Sequence, residues 1–229
     1  MVTHMPSILI TGANRGLGLE AVKQYSAAGW TIHACCRDPG KAPELKALKG
    51  VTVHTLDVTD FAATDRLAAA MKGTAIDVLF ANAGRSNPAA SQFGKIDYKD
   101  WQETFTVNTL APFKLIEAFV DHVAASPRKT VAVVSSIMGS MGKAYGKSYP
   151  YRASKAGLNA ALVNLNIDLK PRGIHFLMIH PGWVRTNMGG PTAHIGAEES
   201  VRGMRAVVDR ASPETSGRFF QWDGQELPW

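Results

Sequence analysis

The sequence predicts a doubly wound α/β fold: a single domain over residues 1–229, built on a parallel seven-stranded sheet with helices on both faces. Three observations carry this expectation. Apolar, β-branched runs alternate along the chain with segments of helical spacing. The runs are apolar nearly throughout, the pattern of strands buried on both faces. A chain of 229 residues with 45% hydrophobic content is long enough for one well-buried α/β core and too short for two comfortable ones.

Strands are expected at 7–11, 31–37, 51–58, 77–83, 130–135, 174–180 and 218–222. Helices are expected between them, at 17–28, about 42–48, 60–71, about 99–125, about 151–169 and 197–211. The first strand contains Ile8, Leu9 and Ile10 and stops at the stretch TGANRGLGLE. Gly12 lets the chain turn sharply there, while Gly16 and Gly18 remove side chains where the backbone must approach a ligand and where the next helix packs on the sheet. That helix opens with free N–H groups and a positive dipole end, a site suited to a pyrophosphate. The least regular stretches, 85–96, 139–148 and 187–196, each follow a strand. In a doubly wound sheet such loops surround one ligand crevice.

Composition narrows the function. The adjacent Cys35 and Cys36 point to opposite faces of a strand, which makes a poor disulfide and no metal site and suggests a reducing, cytoplasmic home. The first ten residues lack a charged region followed by a long apolar one, and no window approaches the ~20 apolar residues of a membrane span, so no stable membrane insertion is expected. The net charge of +6 comes from dispersed basic residues without a long run, which argues against nucleic acid and directs attention to an anionic small ligand.

The glycine spacing is G-x-x-x-G-x-G after a threonine, and further motifs follow in order. They are Asp57 in LDVTD, Asn82-Ala83-Gly84, Asn108 in VNTL, Ser136 in VVSSIMG, Tyr151 and Lys155 in YRASK, and Pro181-Gly182 with Thr186 in PGWVRT. Across nearly its whole length the chain resembles the short-chain dehydrogenases/reductases. The closing GRFFQWDGQELPW and YRASKAGLNA are most similar to the subgroup of C-factor-like proteins and sniffer-type carbonyl reductases.

The residues themselves support such chemistry. Tyr151 and Lys155 lie i and i+4 on one helix face. A phenol ordinarily ionises at about pH 10; a neighbouring ammonium and an oxidised nicotinamide favour phenolate, so Tyr151 can exchange a proton with a carbonyl or alcohol oxygen. Ser136, at the carboxyl end of a strand, can hydrogen-bond the same oxygen. Asn108 stands four residues before Pro112, which has no N–H for the Asn108 carbonyl and pushes it aside. The resemblance implies that this asparagine helps hold a water beside Lys155, completing a proton path to Tyr151.

The resemblance also implies a nicotinamide dinucleotide held by Gly12, Asn14, Arg15, Gly16, Leu17, Gly18, Arg37, Asp57, Val58, Asn82, Ala83, Gly84, Tyr151, Lys155, Pro181, Gly182, Val184 and Thr186. Arg15 and Arg37 can converge on a 2′-phosphate, which favours NADP(H) over NAD(H). Asp38 is the competing candidate, as a partner for a 2′-hydroxyl. Asp57 is expected to contact the adenine, with a capping or turn role as the alternative. Backbone groups of Trp183 and Val184 are expected to face the nicotinamide carboxamide, while Arg185 is left outside the site. Met138, Met141, Tyr145, Tyr149, Trp183 and Met188 suggest an apolar rim for a lipophilic or aromatic carbonyl. The expected protein is an NADP(H)-dependent reductase of a small-molecule carbonyl, or the reverse alcohol dehydrogenase, assembled as a homodimer or homotetramer. A cofactor-binding regulatory protein is the alternative from another class.

Overall fold

Side chains alternate between two helix layers along every inner strand, and this period of two builds two separate cores. In the computed structural model, which describes residues 4–88 and 92–229, the strands are β1 (Ser7–Thr11), β2 (Thr31–Cys36), β3 (Val51–Thr55), β4 (Val78–Ala81), β5 (Thr130–Val134), β6 (His175–His180) and β7 (Arg218–Gln221). They form one 7-stranded sheet in the order β3-β2-β1-β4-β5-β6-β7, every pair parallel, as the sequence predicts.

Ile8, Ile10, Ile32, Ala34, Phe80, Val134 and Ile179 point to one face. There they meet Ala21, Val22 and Tyr25 of α1 (Gly16–Ala27), Leu45 of the short α2 (Pro43–Ala47), and Val201, Met204 and Val208 of α7 (Ala197–Asp209). Leu9, Cys35, Leu79, Val133 and Met178 point the other way. They meet Ala68 of α3 (Phe61–Ala70), Leu115 and Phe119 of α5 (Ala111–Ala124), and Leu158 and Leu162 of α6 (Tyr149–Leu169). Cys35 and Cys36 are both buried free thiols on opposite faces. Among the described residues no group of His, Cys, Asp or Glu is arranged to hold a metal ion, and no helix is long and apolar enough to cross a membrane.

Some boundaries differ from expectation for local reasons. Strand β4 stops at Ala81 because the Asn82 N–H turns to the Thr11 hydroxyl at 3.1 Å. Strand β3 stops at Thr55, before the turn that Asp57 makes with Thr59. Helix α6 begins at Tyr149, with Pro150 in the first turn, where its missing N–H costs nothing. The long helix expected over 99–125 is divided. Helix α4 (Tyr98–Phe105), capped by Asp97, runs into a wide π turn over Thr106–Leu110, and α5 follows. Pro112 has no N–H to give to residue 108; across the widened turn the Ala111 N–H reaches back five residues to the Thr106 carbonyl.

Strand β1 lies between β2 and β4, so the connections leaving β1 and β4 go to opposite faces and open a crevice at the carboxyl ends of the strands. Gly12, Arg37, Asp57, Asn82, Ser136 and Pro181 each lie just past a strand on this edge, while Asn108 sits in the π turn and Tyr151 and Lys155 on α6.

Candidate active site

The turn from β1 to α1 is packed too tightly for side chains. Gly12 has φ +65°, and a Cβ on Gly18 would lie 2.2 Å from the Gly12 carbonyl oxygen and 2.7 Å from Asn82 Nδ2. Thr11 Oγ1 accepts the N–H groups of Asn82 and Ala83, each at 3.1 Å, and Asn82 Nδ2 donates to the Thr11 carbonyl at 2.9 Å. Helix α1 opens after an extended Arg15, with no side-chain cap and no acidic residue in its first turn. Its leading N–H groups and positive dipole end therefore suit an external anion. A Cβ on Gly16 would stand 3.5 Å from Thr186 Cγ2, which brings the loop after β6 to the same place. These glycines leave a side-chain-free turn of bare backbone at the amino end of α1. Leu17 packs partly into the core, while Asn14 lies half-buried in the turn.

Arg15, just before α1, and Arg37, just past β2, are exposed, and neither is in an ion pair among the described residues. Asp38 is committed to its own turn: one carboxylate oxygen accepts the Gly40 N–H at 3.0 Å and the other pairs with Lys41 at 3.3 Å. Asp57 accepts the backbone N–H and hydroxyl of Thr59 at 2.9 and 2.7 Å, both on Oδ1. Burial pushes its carboxyl up, but the Thr59 bonds and the Arg37 charge outweigh it and hold the group below the usual range. Val58 beside it packs against the core.

Four elements converge at the centre. A Cβ on Gly84 would lie 3.4 Å from Asn108 Oδ1 and 3.9 Å from Lys155 Nζ. The buried Asn108 side chain accepts the Arg85 N–H at 2.9 Å and donates to the Arg85 carbonyl at 2.9 Å and to Ser154 Oγ at 3.0 Å. Lys155 Nζ donates to the Val134 carbonyl at 2.8 Å, and burial pushes its ammonium down to about 8. Tyr151 stands one turn earlier on the same face. Burial raises its phenol, and a hydrogen bond with the Ser136 side chain works against that rise. Ser136 Oγ also accepts the Met138 N–H at 3.2 Å, which fixes its direction.

After β6, Gly182 at φ +84° passes Ile195 and Trp222 with no room for a side chain; a Cβ would be 2.6 Å from Ile195 Cδ1. The preceding Pro181 carbonyl accepts the Ser200 hydroxyl at 2.6 Å. The Trp183 carbonyl accepts the Ile195 N–H at 3.3 Å and the Val184 carbonyl accepts the Thr186 hydroxyl at 3.4 Å, so both oxygens help to hold the loop. Arg185 donates to the Ala193 and His194 carbonyls at 3.0 and 2.9 Å, which makes it a brace of this loop.

The rim is apolar and open. Met141, Tyr145, Trp183 and Met188 are 75%, 72%, 47% and 53% exposed, values that mark a surface rather than a core. Phe93, absent from the sequence reading, meets Tyr149 edge-on at 6.4 Å. Within the expected wall 85–96, residues 89–91 lie outside the described residues. Sequence reasoning also passed over Thr11 and Ser154. Their signal is their place beside the motifs, in T-G-x-x-x-G and in Y-x-x-S-K, and their work is to tie one motif to the next.

The model of the short chain dehydrogenase family matches residues 6–194. The C-signal protein of Myxococcus xanthus is 44% identical over 155 residues, 67% of this chain and 93% of that protein. The 1-hydroxy-2-glutathionyl-2-methyl-3-butene dehydrogenase of Rhodococcus sp. (strain AD45) is 33% identical over 98% of this chain and 100% of its own. Among solved structures, the carbonyl reductase Sniffer of D. melanogaster superposes with a TM-score of 0.91 at 33% identity, covering 99% of this chain and 100% of that one. The NADPH-bound carbonyl reductase from chicken fatty liver gives a TM-score of 0.91 at 33% identity, with the same coverage.

Proposed function

Because this chain belongs to the short-chain dehydrogenase/reductase family, in its C-factor and Sniffer-type subgroup, we propose that it is an NADP(H)-dependent carbonyl reductase. Its substrates on this reading are lipophilic or aromatic aldehydes, ketones or quinones, and it works as one cytoplasmic domain. The observation that carries the reading is the convergence of Ser136, Tyr151, Lys155 and Asn108 beside a glycine turn that admits no side chain at residue 18.

NADP(H), when bound, supplies or takes the hydride. The amino end of α1 and the glycine turn would hold its pyrophosphate, Asn82, Ala83 and Gly84 would shape the floor beneath it, and the segment from Pro181 to Thr186 would border its nicotinamide end. Arg15 and Arg37 stand ready for a 2′-phosphate, while Asp38 is held by Gly40 and Lys41, which supports NADP(H) over NAD(H). Ser136 and Tyr151 direct their hydroxyls at the carbonyl oxygen. Burial keeps the Tyr151 phenol protonated at neutral pH, the state in which a general acid gives its proton. The Lys155 ammonium then stabilises the phenolate left behind. Asn108 serves the return of the proton through a water at its backbone carbonyl, which Pro112 cannot hydrogen-bond.

Exposed Leu110, Phe113 and Ile167 on the π turn, α5 and α6 support assembly as a homodimer or homotetramer. Sedimentation as a monomer at micromolar concentration would refute that part. The same residues run in reverse make an alcohol dehydrogenase, a second reading favoured by the Rhodococcus relative's name. An NADPH-consumption screen over aldehydes, ketones and quinones tests the main reading. Turnover of at least one aromatic carbonyl is expected. Oxidation of alcohols alone would favour the second reading, and tight NADPH binding with no turnover of any kind would favour a regulatory role akin to the C-signal relative.

A further inference from the structure

We infer that Arg152, the residue after Tyr151, is a subsite for a carboxylate carried by the carbonyl substrate, an inference that rests on the reductase reading. Arg152 Nη1 donates to the Met138 carbonyl at 3.2 Å, in the turn that follows Ser136. Its Nε and Nη2 are shielded from solvent and have no acceptor. The Tyr145 ring covers the guanidinium, 3.9 Å from Cζ to the ring centre. No carboxylate among the described residues pairs with it.

The two unmatched nitrogens are not independent. Nε–H and the Nη2–H on its side form one edge of the guanidinium, with parallel donors at the spacing of two carboxylate oxygens. A shielded charged edge without an acceptor is costly, so this edge is matched only when an acceptor arrives. The surroundings select an anion. Lys143 and Lys147 lie in the same stretch, and no acidic residue occurs from Met138 to Arg152. The flat cover of Tyr145 suits a planar carboxylate lying in the guanidinium plane. Arg152 is bonded through Nη1 to the turn that follows Ser136, and through that bond, rather than its place next to Tyr151 in the helix, we assign an anion on this edge to the same molecule as the carbonyl. The substrate class becomes an aromatic or lipophilic carbonyl compound with a carboxylate.

Two measurements separate this subsite from the reductase reading. Titration calorimetry on the NADPH complex compares benzoate, phenylacetate and 3-phenylpropanoate with their amides. The wild type should bind at least one acid about tenfold to a hundredfold more tightly than its amide. Arg152→Met should bring that ratio close to one, and Arg152→Lys should retain only part of it. A bracing role at Met138 would weaken acid and amide together and leave the ratio unchanged. Equal affinities in the wild type, or a ratio that survives in Arg152→Met, overturns the subsite. Kinetics with 4-carboxybenzaldehyde and 3-(4-formylphenyl)propanoate against their carboxamides should show the same preference in kcat/KM. A preserved binding ratio with no reduction of any aldehyde would remove the reductase reading and leave the carboxylate site standing.

Discussion

Asn108 Nδ2 donates to Ser154 Oγ at 3.0 Å, and Ser154 in turn donates to the Tyr151 carbonyl at 2.8 Å, so the π turn is fastened to the turn of α6 that carries Tyr151. The Asn108 side chain also holds both backbone groups of Arg85, immediately after Gly84. One buried amide therefore joins the loop after β4 to α6.

Asn108→Ala should lose about 2–4 kcal/mol of stability, because it leaves the half-buried Arg85 N–H and carbonyl without their side-chain partner and removes the bond to Ser154. Urea unfolding with an unchanged m-value would show it; a loss below ~1 kcal/mol would mean that the clamp is dispensable. Pro112→Ala separates the backbone from the side chain. It restores an N–H able to bond the residue 108 carbonyl, and it should lower turnover without unfolding the protein. Wild-type turnover in that variant would remove the water relay and leave the clamp.

Cofactor choice depends on exposed charge. Replacing Arg15 or Arg37 with Ala should cost about 1.5–3 kcal/mol in NADPH binding, roughly 10- to 150-fold, and should change NADH binding much less. Fluorescence titration with both nucleotides measures this. A wild type that binds NADH as tightly as NADPH would contradict the assignment and direct attention to Asp38.

The fold was legible because its determinants are local and periodic. Ile8 and Ile10 on one face and Leu9 on the other show how a continuous apolar run serves two layers at once. Gly18 was legible for a similar reason, since only a residue without a side chain fits against Gly12. The Asn108–Ser154 bond spans 46 positions, and although each residue sits in a motif, neither motif says that the two meet. The loop after Pro181-Gly182 is closed by Ile195, whose N–H reaches the Trp183 carbonyl twelve residues back, a partner that periodicity does not encode.

Acid should weaken the protein through a histidine pair. His33 Nδ1 and His54 Nε2 are 3.1 Å apart on β2 and β3; burial first, then the charges of His54 and His122, push His33 down to about 4. Burial lowers His54 as well. Both folded values lie below the unfolded one, so their contribution is complete above about pH 6.5 and is lost as pH falls from there towards 4. Urea unfolding at a series of pH values should show a smaller acid loss in His33→Gln/His54→Gln than in the wild type. Parallel curves would exclude the pair as a source of acid sensitivity.

The central claim is that the Tyr151 hydroxyl transfers the proton. Tyr151→Phe preserves the ring and removes that proton, so the fold and NADPH affinity should survive while turnover falls roughly a hundredfold to ten-thousandfold. Lys155→Met should lower turnover and also weaken NADPH binding, and the double variant should be little worse than the more damaging single one. The most direct measurement is the single-turnover rate of NADPH oxidation by Tyr151→Phe with a carbonyl compound that the wild type reduces. The account predicts that loss with NADPH still bound; a rate close to wild type would contradict it.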